Sequence, residues 1–469
     1  MFAIWAAIGL ASAASAGAAA GLPTDRPCYG APSMDRALAC HDPSLRGVVF
    51  PAPLDAIIET SPRCANVVHT PDWWECAAGA PAERVTGTVA LLGDSHAGHW
   101  RPALDHFATA RGLRLVSITR SGCPFSTGTP ILPEGDVRPC IRWRRGVIRW
   151  FNEHPEISTV FVSGHAGAKI VTPKGQQPFA AKKRAVARAW SKLPTTVRHI
   201  IVLRDVPKNS LKTMSCVEAA LERRKITNAT CAVPRSFATQ PDPAASAAHA
   251  LHRARVQVID LTRYFCGRRF CFPIIGGALV HKDADHLTAE FATSLAPYVD
   301  RAFAALRPAV TVEPGLIGKV SFAGAARSSA GGATLRYRAT VAIPRAWRLV
   351  YRTPNGAAEH LAFAGPEPCS HRVLVKIAMD ATTEAPPEGV TPLAGRTTQA
   401  GGANADWAAW AVPAASRIAG TWIRHTRTGR DLTASLTAEP AAPCSDADAA
   451  AETGRAASLL HELRVRDER

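Results

Sequence analysis

Between Val85 and Pro308, short apolar runs alternate with segments of helical periodicity, and this alternation limits the fold more than any other feature of the chain. Residues 88–92, 113–119, 159–163, 199–203 and 256–261 read as strands, and 97–110, 142–151, 182–193, 244–253 and 289–306 as helices. A strand that is apolar throughout is buried on both faces. Such strands alternating with helices predict an α/β fold, a doubly wound parallel sheet covered on both sides. In such a sheet the ligand site lies beyond the carboxyl ends of the strands. The residues found there are Ser95, Gly122, Ser163-Gly164 and Asp205.

The first strand ends in Leu92-Gly93-Asp94-Ser95-His96 and runs directly into a helical segment. That layout puts a serine hydroxyl at a sheet edge, where free backbone N–H groups and the helix dipole favour developing negative charge. Asp94 and Ser95 also fit a plain helix cap. A serine becomes a nucleophile only when a base takes its proton, usually a histidine oriented by an acid. Just before the last helix stands His281-Lys282-Asp283-Ala284-Asp285-His286-Leu287-Thr288, in which Asp283 and His286 share one loop three residues apart. Taken singly, these are ordinary loop carboxylates and a helix-start histidine. If the last strand-to-helix loop lies beside the first, the pair points at Ser95.

Charge narrows the partners. The chain has 55 Lys and Arg against 38 Asp and Glu, a formal +17, which suits an acidic envelope polymer or an anionic membrane surface. No zinc-finger spacing, RNP motif or lysine-rich tail accompanies it, so nucleic acid is not expected as a partner. Residues 1–22 are small and apolar, and Ala14-Ser15-Ala16 and Ala18-Ala19-Ala20 both satisfy the small-x-small cleavage rule. The segment lacks a basic start, and the alternatives are an uncleaved anchor or the last membrane helix of a longer protein. On each reading the remainder lies outside the cytoplasm. The twelve cysteines agree with that compartment. They fall in sequence-neighbouring pairs: Cys28/Cys40, Cys64/Cys76, Cys123/Cys140, Cys216/Cys231, Cys266/Cys271 and, widely spaced, Cys369/Cys444. Zinc is the competing account, but C-x2-C repeats and accompanying histidines are missing. Nothing in the sequence calls for a cofactor or a metal.

Four segments result. Residues 1–22 are a signal peptide or anchor. Residues 23–84 are a Cys-rich lead segment, with Trp73-Trp74 packed on the next domain. Residues 85–307 form the α/β domain. Residues 308–469 form a separate α+β domain, with a loop at 321–332, strands near 339–343, 347–353, 373–379, 407–412, 418–424 and 432–436, and a helix at 450–465.

Gly93-Asp94-Ser95-His96 and Asp283-x-x-His286-Leu287-Thr288 resemble the first and last blocks of the SGNH hydrolase superfamily. The chain is similar, more narrowly, to the SGNH domains attached to acyltransferase-3 membrane proteins that acylate surface sugars. Four further features carry that likeness: Cys28-Tyr29-Gly30-Ala31, Ser121-Gly122-Cys123-Pro124, Arg204-Asp205-Val206-Pro207 and the short Cys266/Cys271 loop. The resemblance covers about residues 25–306 and implies a flavodoxin-like SGNH fold. It makes Ser95 the nucleophile, His286 the general base and Asp283 the orienting acid, with Asp285 at the wrong spacing for that role. It also implies an oxyanion hole from the backbone N–H of Ser95 and Gly122. The superfamily's third donor, an asparagine after the third strand, is absent: the chain has Ser163-Gly164-His165-Ala166-Gly167 there. Gly164 or His165 substitutes, or the hole has two donors. His96 and His165 are candidate substrate contacts, although His96 and His99 also fit hydrogen bonding within the turn. The implied activity is transfer or hydrolysis of an O-acyl group, acetyl first, on envelope carbohydrate, with a separate membrane acyltransferase as a possible acyl donor. The rival reading is a non-catalytic polysaccharide-binding protein with a vestigial site.

Overall fold

A computed structural model describes residues 23–312 except 59–64, 71–72, 82–83, 228 and 252–253. Beyond 312 it describes 319–327, 334–343, 347–353, 358–365, 371–379, 391–392, 405–412, 417–425, 431–440 and 464–467. The leader at 1–22 therefore lies outside the described residues. No helix among those described is long and apolar enough to cross a membrane.

In chain order, α1 (Pro53–Ile58) precedes β1 (Ala65–Thr70), β2 (Trp73–Gly79) and β3 (Gly87–Gly93), followed by α2 (Ser95–Gly98) and α3 (Arg101–Ala110). Next come β4 (Leu113–Thr119), α4 (Val137–Glu153), β5 (Ile157–Ser163), α5 (Pro178–Trp190), β6 (His199–Leu203) and α6 (Thr213–Glu222). The domain finishes with β7 (Val233–Pro234), α7 (Arg235–Ala238), α8 (Pro243–Leu251), β8 (Val256–Ile259), short hairpin strands β9 (Phe270–Cys271), β10 (Ile274–Ile275) and β11 (Ala278–Leu279), then α9 (Ala289–Ser294) and α10 (Ala296–Ala304).

The main sheet runs β1-β2-β4-β3-β5-β6-β8. The five strands β4-β3-β5-β6-β8 are parallel, and β2 and β1 extend one edge antiparallel. Numbered among themselves, the parallel strands stand in the order 2-1-3-4-5, the doubly wound arrangement in which a ligand crevice opens beside the first strand. Alternation along each strand explains why the runs are wholly apolar. Val89 and Leu91 face one core with α3, α9 and α10, while Ala90 and Leu92 face the other with α4, α5 and α8. Burial on both faces is the physical origin of the pattern that identified the sheet.

Two long helices break where proline removes an N–H. The stretch 97–110 divides into α2 and α3 ahead of Pro102, and 289–306 divides at Leu295 ahead of Pro297. The lead segment does more than pack against the domain. Its β2, which contains Trp73 and Trp74, pairs with β4 and so belongs to the sheet. Disulfides join Cys28–Cys40, Cys123–Cys140, Cys216–Cys231 and Cys266–Cys271. Cys76 is also disulfide-bonded, and no described cysteine is free. Cys64, Cys369 and Cys444 lie outside the described residues.

Every described element past residue 312 is a strand. Lys319–Arg327, Thr334–Ala342 and Arg464–Asp467 form one antiparallel sheet, and seven strands between Arg348 and Pro440 form another. Part of the stretch 321–332, expected as a loop, is corrected here: residues 321–327 belong to the strand Lys319–Arg327, which pairs residue by residue with Thr334–Ala342, and 328–332 lie outside the described residues. Small Gly, Ala and Ser side chains read as loop in isolation, but a ladder needs only backbone groups and a partner, so strand propensity yields to context. The helix expected at 450–465 lies outside the described residues except for its last two, which are strand. These sheets meet the α/β domain far from Ser95. Thr88 Oγ1, near the start of β3, donates to the Val350 carbonyl at 2.6 Å, and Arg352 Nη1 donates to the Glu153 carbonyl at 3.2 Å. A seven-residue strand spans roughly 23 Å at about 3.3 Å per residue, so this contact sits at the opposite end of β3 from the serine.

Candidate active site

The site begins with a close approach. Gly93 ends β3 with φ +152°, and a Cβ there would stand 1.9 Å from the Ser163 carbonyl, so only glycine lets β3 end beside β5. The next residue, Asp94, is buried and caps α2: its Oδ1 accepts the His96 backbone N–H at 2.9 Å. Its carboxylate also accepts the His165 backbone N–H, with Oδ2 at 3.0 Å. Burial pushes the Asp94 carboxyl up, against the pull of His96 and these N–H groups. The cap expected from sequence is thus present, and it leaves Ser95 as the first residue of α2 with its hydroxyl directed elsewhere.

That hydroxyl meets the loop before α9. His286 Nε2 stands 2.8 Å from Ser95 Oγ across 191 residues of sequence. His286 Nδ1 stands 2.8 Å from Asp283 Oδ2. Asp283 Oδ1 in turn accepts the backbone N–H of Asp285 at 2.9 Å and of His286 at 2.7 Å. Burial would raise the Asp283 carboxyl, but these N–H bonds and the His286 ring outweigh it and hold it well below the usual carboxylate range. It stays ionised at any ordinary pH. The loop is closed at its base, where Lys282 N–H donates to the His286 carbonyl at 2.9 Å and Thr288 N–H to the Val280 carbonyl at 3.1 Å. From behind, Asn209 N–H donates to the Ala284 carbonyl at 2.7 Å, and Asn209 Nδ2 contacts His281 Nδ1 at 3.1 Å. His281 is buried, which pushes it down to about 4 and keeps it neutral.

A second imidazole–carboxylate pair lies beside the first, with the His96 and His286 ring centroids 4.7 Å apart. His96 Nδ1 is 2.7 Å from Asp205 Oδ1, with side-chain exposures of 2% and 7%. Asp205 Oδ2 accepts the Ala166 backbone N–H at 2.7 Å, tying the end of β6 to the loop after β5. Burial alone would lower His96, but Asp205, Asp285 and Asp94 overcome it and push it up to about 10. Its ring is stacked on His165, centroids 4.4 Å apart. Asp285, out of register for the acid role, sits among three imidazoles: 3.3 Å from His286 Nδ1, 3.7 Å from His96 Nε2 and 3.6 Å from His165 Nε2. His99 is buried beside them, driven well below its ordinary range by burial and by the neighbouring imidazoles.

The expected residues therefore divide. Ser95, His286 and Asp283 come together. Gly122 turns the chain after β4 with φ +69°, and Arg120 N–H ties that turn to the Gly93 carbonyl at 3.1 Å. Gly164 lies over the Asp94 carboxylate. His165 is partly exposed, whereas His96 is buried with its Nδ1 on Asp205. In the loop that lacks the asparagine, the N–H groups of His165 and Ala166 are taken by Asp94 and Asp205, and Lys182 Nζ holds the carbonyls of both residues at 2.9 and 2.8 Å. Sequence reasoning missed Asn209, His281 and Lys182 as members of this assembly, and placed Asp205 only at a strand end. The Arg-Asp-x-Pro strand end was the one available signal, and it marked Asp205 without giving it a task. Donor atoms of His96, His165 and Asp285 also lie close enough to share a cation, as do two overlapping sets.

A family model described as an SGNH domain fused to AT3 domains matches residues 63–301. Among solved structures, the periplasmic domain of a lipopolysaccharide acetyltransferase from Salmonella ser. Paratyphi A aligns over 47% of this chain and 84% of its own length, at 14% identity and a TM-score of 0.37. No curated protein matches the chain. With the family model spanning half its length, the chain belongs to the SGNH domain family of the kind fused to AT3 domains, and its role is acyl-related.

Proposed function

We propose that this protein is an extracytoplasmic serine enzyme that transfers or hydrolyses an O-acyl group, acetyl first, on envelope carbohydrate through an acyl–Ser95 intermediate. The observation that carries this reading is the unbroken line of contacts from Ser95 Oγ to His286 Nε2 and from His286 Nδ1 to Asp283, each 2.8 Å. His286 takes the Ser95 proton as Oγ attacks the acyl carbonyl, and returns it to the departing alcohol as the ester bond breaks. The same imidazole then takes a proton from water or a sugar hydroxyl, which attacks the acyl–serine carbonyl and frees Ser95. Asp283 orients the ring and stabilises the imidazolium. The oxyanion is assigned to the backbone N–H of Ser95 and Gly122, with Gly164 as third donor, since the N–H groups of His165 and Ala166 are already committed. A missing donor typically costs on the order of 10²–10³ in rate.

Four described disulfides support an oxidising compartment. The positive charge suits an acidic polymer as substrate, and a separate membrane acyltransferase is assigned as acyl donor because the family occurs fused to AT3 domains. The four-segment division of the chain is kept as part of the proposal, with the lead segment contributing β1 and β2. The test is hydrolysis of a chromogenic acetate ester by wild type and Ser95→Ala. Wild type turns the ester over and the variant does not. Equal background rates in both overturn the enzyme reading in favour of a carbohydrate-binding protein. Acetylated sugar formed on adding polysaccharide marks a transferase, and acetate release alone marks an esterase.

A further inference from the structure

A groove of about 250 Å3 lies between the loop after Phe125 and the helices α4 and α5, lined by Ser126, Thr127, Gly128, Arg144, Arg145 and Lys192 among others. No acidic side chain among the described residues lines it. Arg144 is half-buried, and one of its nitrogens, Nη1, donates to the Gly128 carbonyl. Its Nε and Nη2 are shielded from solvent and have no partner. Ser126, 2% exposed, has a hydroxyl in the same condition. Burying a guanidinium with two donors unmet and no carboxylate nearby is costly. Native proteins tolerate that where a ligand completes the set, and Nε with Nη2 is the fork that grips two oxygens of one anion. Burial pushes Arg144 down to about 10, so it keeps its charge at neutral pH.

One wall of the groove is the loop that follows the Gly122 turn. Phe125 lines the groove and also lines the pocket formed by Ser163, Gly164 and His165. Phe125 directly follows the Ser121–Pro124 turn that contains Gly122. Ligand pockets for whole small molecules run to roughly 300–1,000 Å3, so this space takes one charged unit rather than an entire substrate.

We propose that this groove is an anion subsite for the acceptor polymer, in which Arg144, Ser126, Arg145 and Lys192 hold a carboxylate or phosphate carried by a sugar neighbouring the one that is acylated at Ser95. This rests on the carbohydrate reading above and names its substrate class: an acidic glycan.

The experiment measures binding by Ser95→Ala protein, so that turnover cannot mask it, of an oligogalacturonate and of its uncharged methyl ester. The acidic oligomer binds at least about tenfold tighter, and the preference shrinks as salt is raised. Arg144→Gln removes the preference, Ser126→Ala reduces it several-fold, and Arg144→Lys keeps charge but loses the fork. Equal binding of the two oligomers, or a preference that survives Arg144→Gln, overturns the proposal. Melting temperature without ligand separates a binding role from a structural one. Arg144→Gln also loses the Gly128 contact, so its melting point is read beside the preference: a lower melting point with unchanged preference overturns the subsite. Inorganic phosphate and acetate as competitors identify the group: stronger competition by phosphate assigns a phosphate-bearing polymer, and the reverse assigns a uronate. Ester hydrolysis without this preference defeats the subsite and spares the enzyme, and the preference without hydrolysis does the opposite.

Discussion

Two imidazole–carboxylate pairs lie side by side near Ser95, and they are nearly identical in length: 2.8 Å for His286–Asp283 and 2.7 Å for His96–Asp205. Their surroundings differ. Asp283 is 49% exposed and His286 26%, on a loop tip, while His96 and Asp205 are 2% and 7% exposed between strand ends. A half-open pair can exchange protons with a substrate. The closed pair is held charged by Asp205, Asp285 and Asp94, and it spends its bonds joining α2, the loop after β5 and the end of β6. The same chemical unit thus stands in two environments, and burial separates them.

Five changes would break or sharpen that contrast. The largest effect is expected from the open pair. His286→Ala should lower ester hydrolysis by on the order of 10⁴–10⁶, as loss of a triad base does elsewhere, with the denaturation midpoint almost unmoved. A large stability loss would make His286 structural. Next, Asp283→Asn keeps the shape but reverses the hydrogen bond to the ring, and a fall of roughly 10⁴ in kcat is expected. If activity survives, Asp285 is carrying the acid role from 3.3 Å.

The closed pair should answer in stability instead. Asp205→Ala removes the carboxylate from a buried, charged His96 and leaves the Ala166 N–H unmet, a loss of about 3–5 kcal/mol by analogy with broken buried pairs. Urea unfolding measures it. The pH dependence follows from the raised His96. Its contribution is fully present below its unfolded value of 6.5, then declines as pH climbs through its folded value of about 10. Wild type should therefore lose stability across that window, and His96→Gln should be flatter. A variant that parallels wild type would show that His96 is not the group responsible. Asp285→Asn should have the smallest effect, at most about 1 kcal/mol, the range of partly exposed ion pairs. In rate this is no more than about fivefold.

The α/β fold was legible because burial on both faces writes itself into each strand as an apolar run. Ser95, Asp283 and His286 were legible because each sits in a short local motif at a strand end or helix start. Asp205 was visible only as a strand-end residue, since its partner His96 is 109 positions away and no spacing rule links them. Asp285 was discounted for its register, because a loop's path rather than its count of residues decides what its side chains reach. The strand Lys319–Arg327 was hidden because its small side chains carry no propensity of their own.

What the sequence determined by itself was everything that depends on neighbours along the chain: the strand periodicity, the glycine that ends β3, the Asp94 cap and the acid–base spacing of 283 and 286. The tertiary structure decided what depends on strand order. By setting β3 between β4 and β5, it brought the last loop within hydrogen-bonding distance of the first. It also closed Asp205 over His96, and set the half-buried Arg144 against the groove between α4 and α5. Contacts made across a hundred residues or more are selected by packing the whole sheet, and no local stretch encodes them.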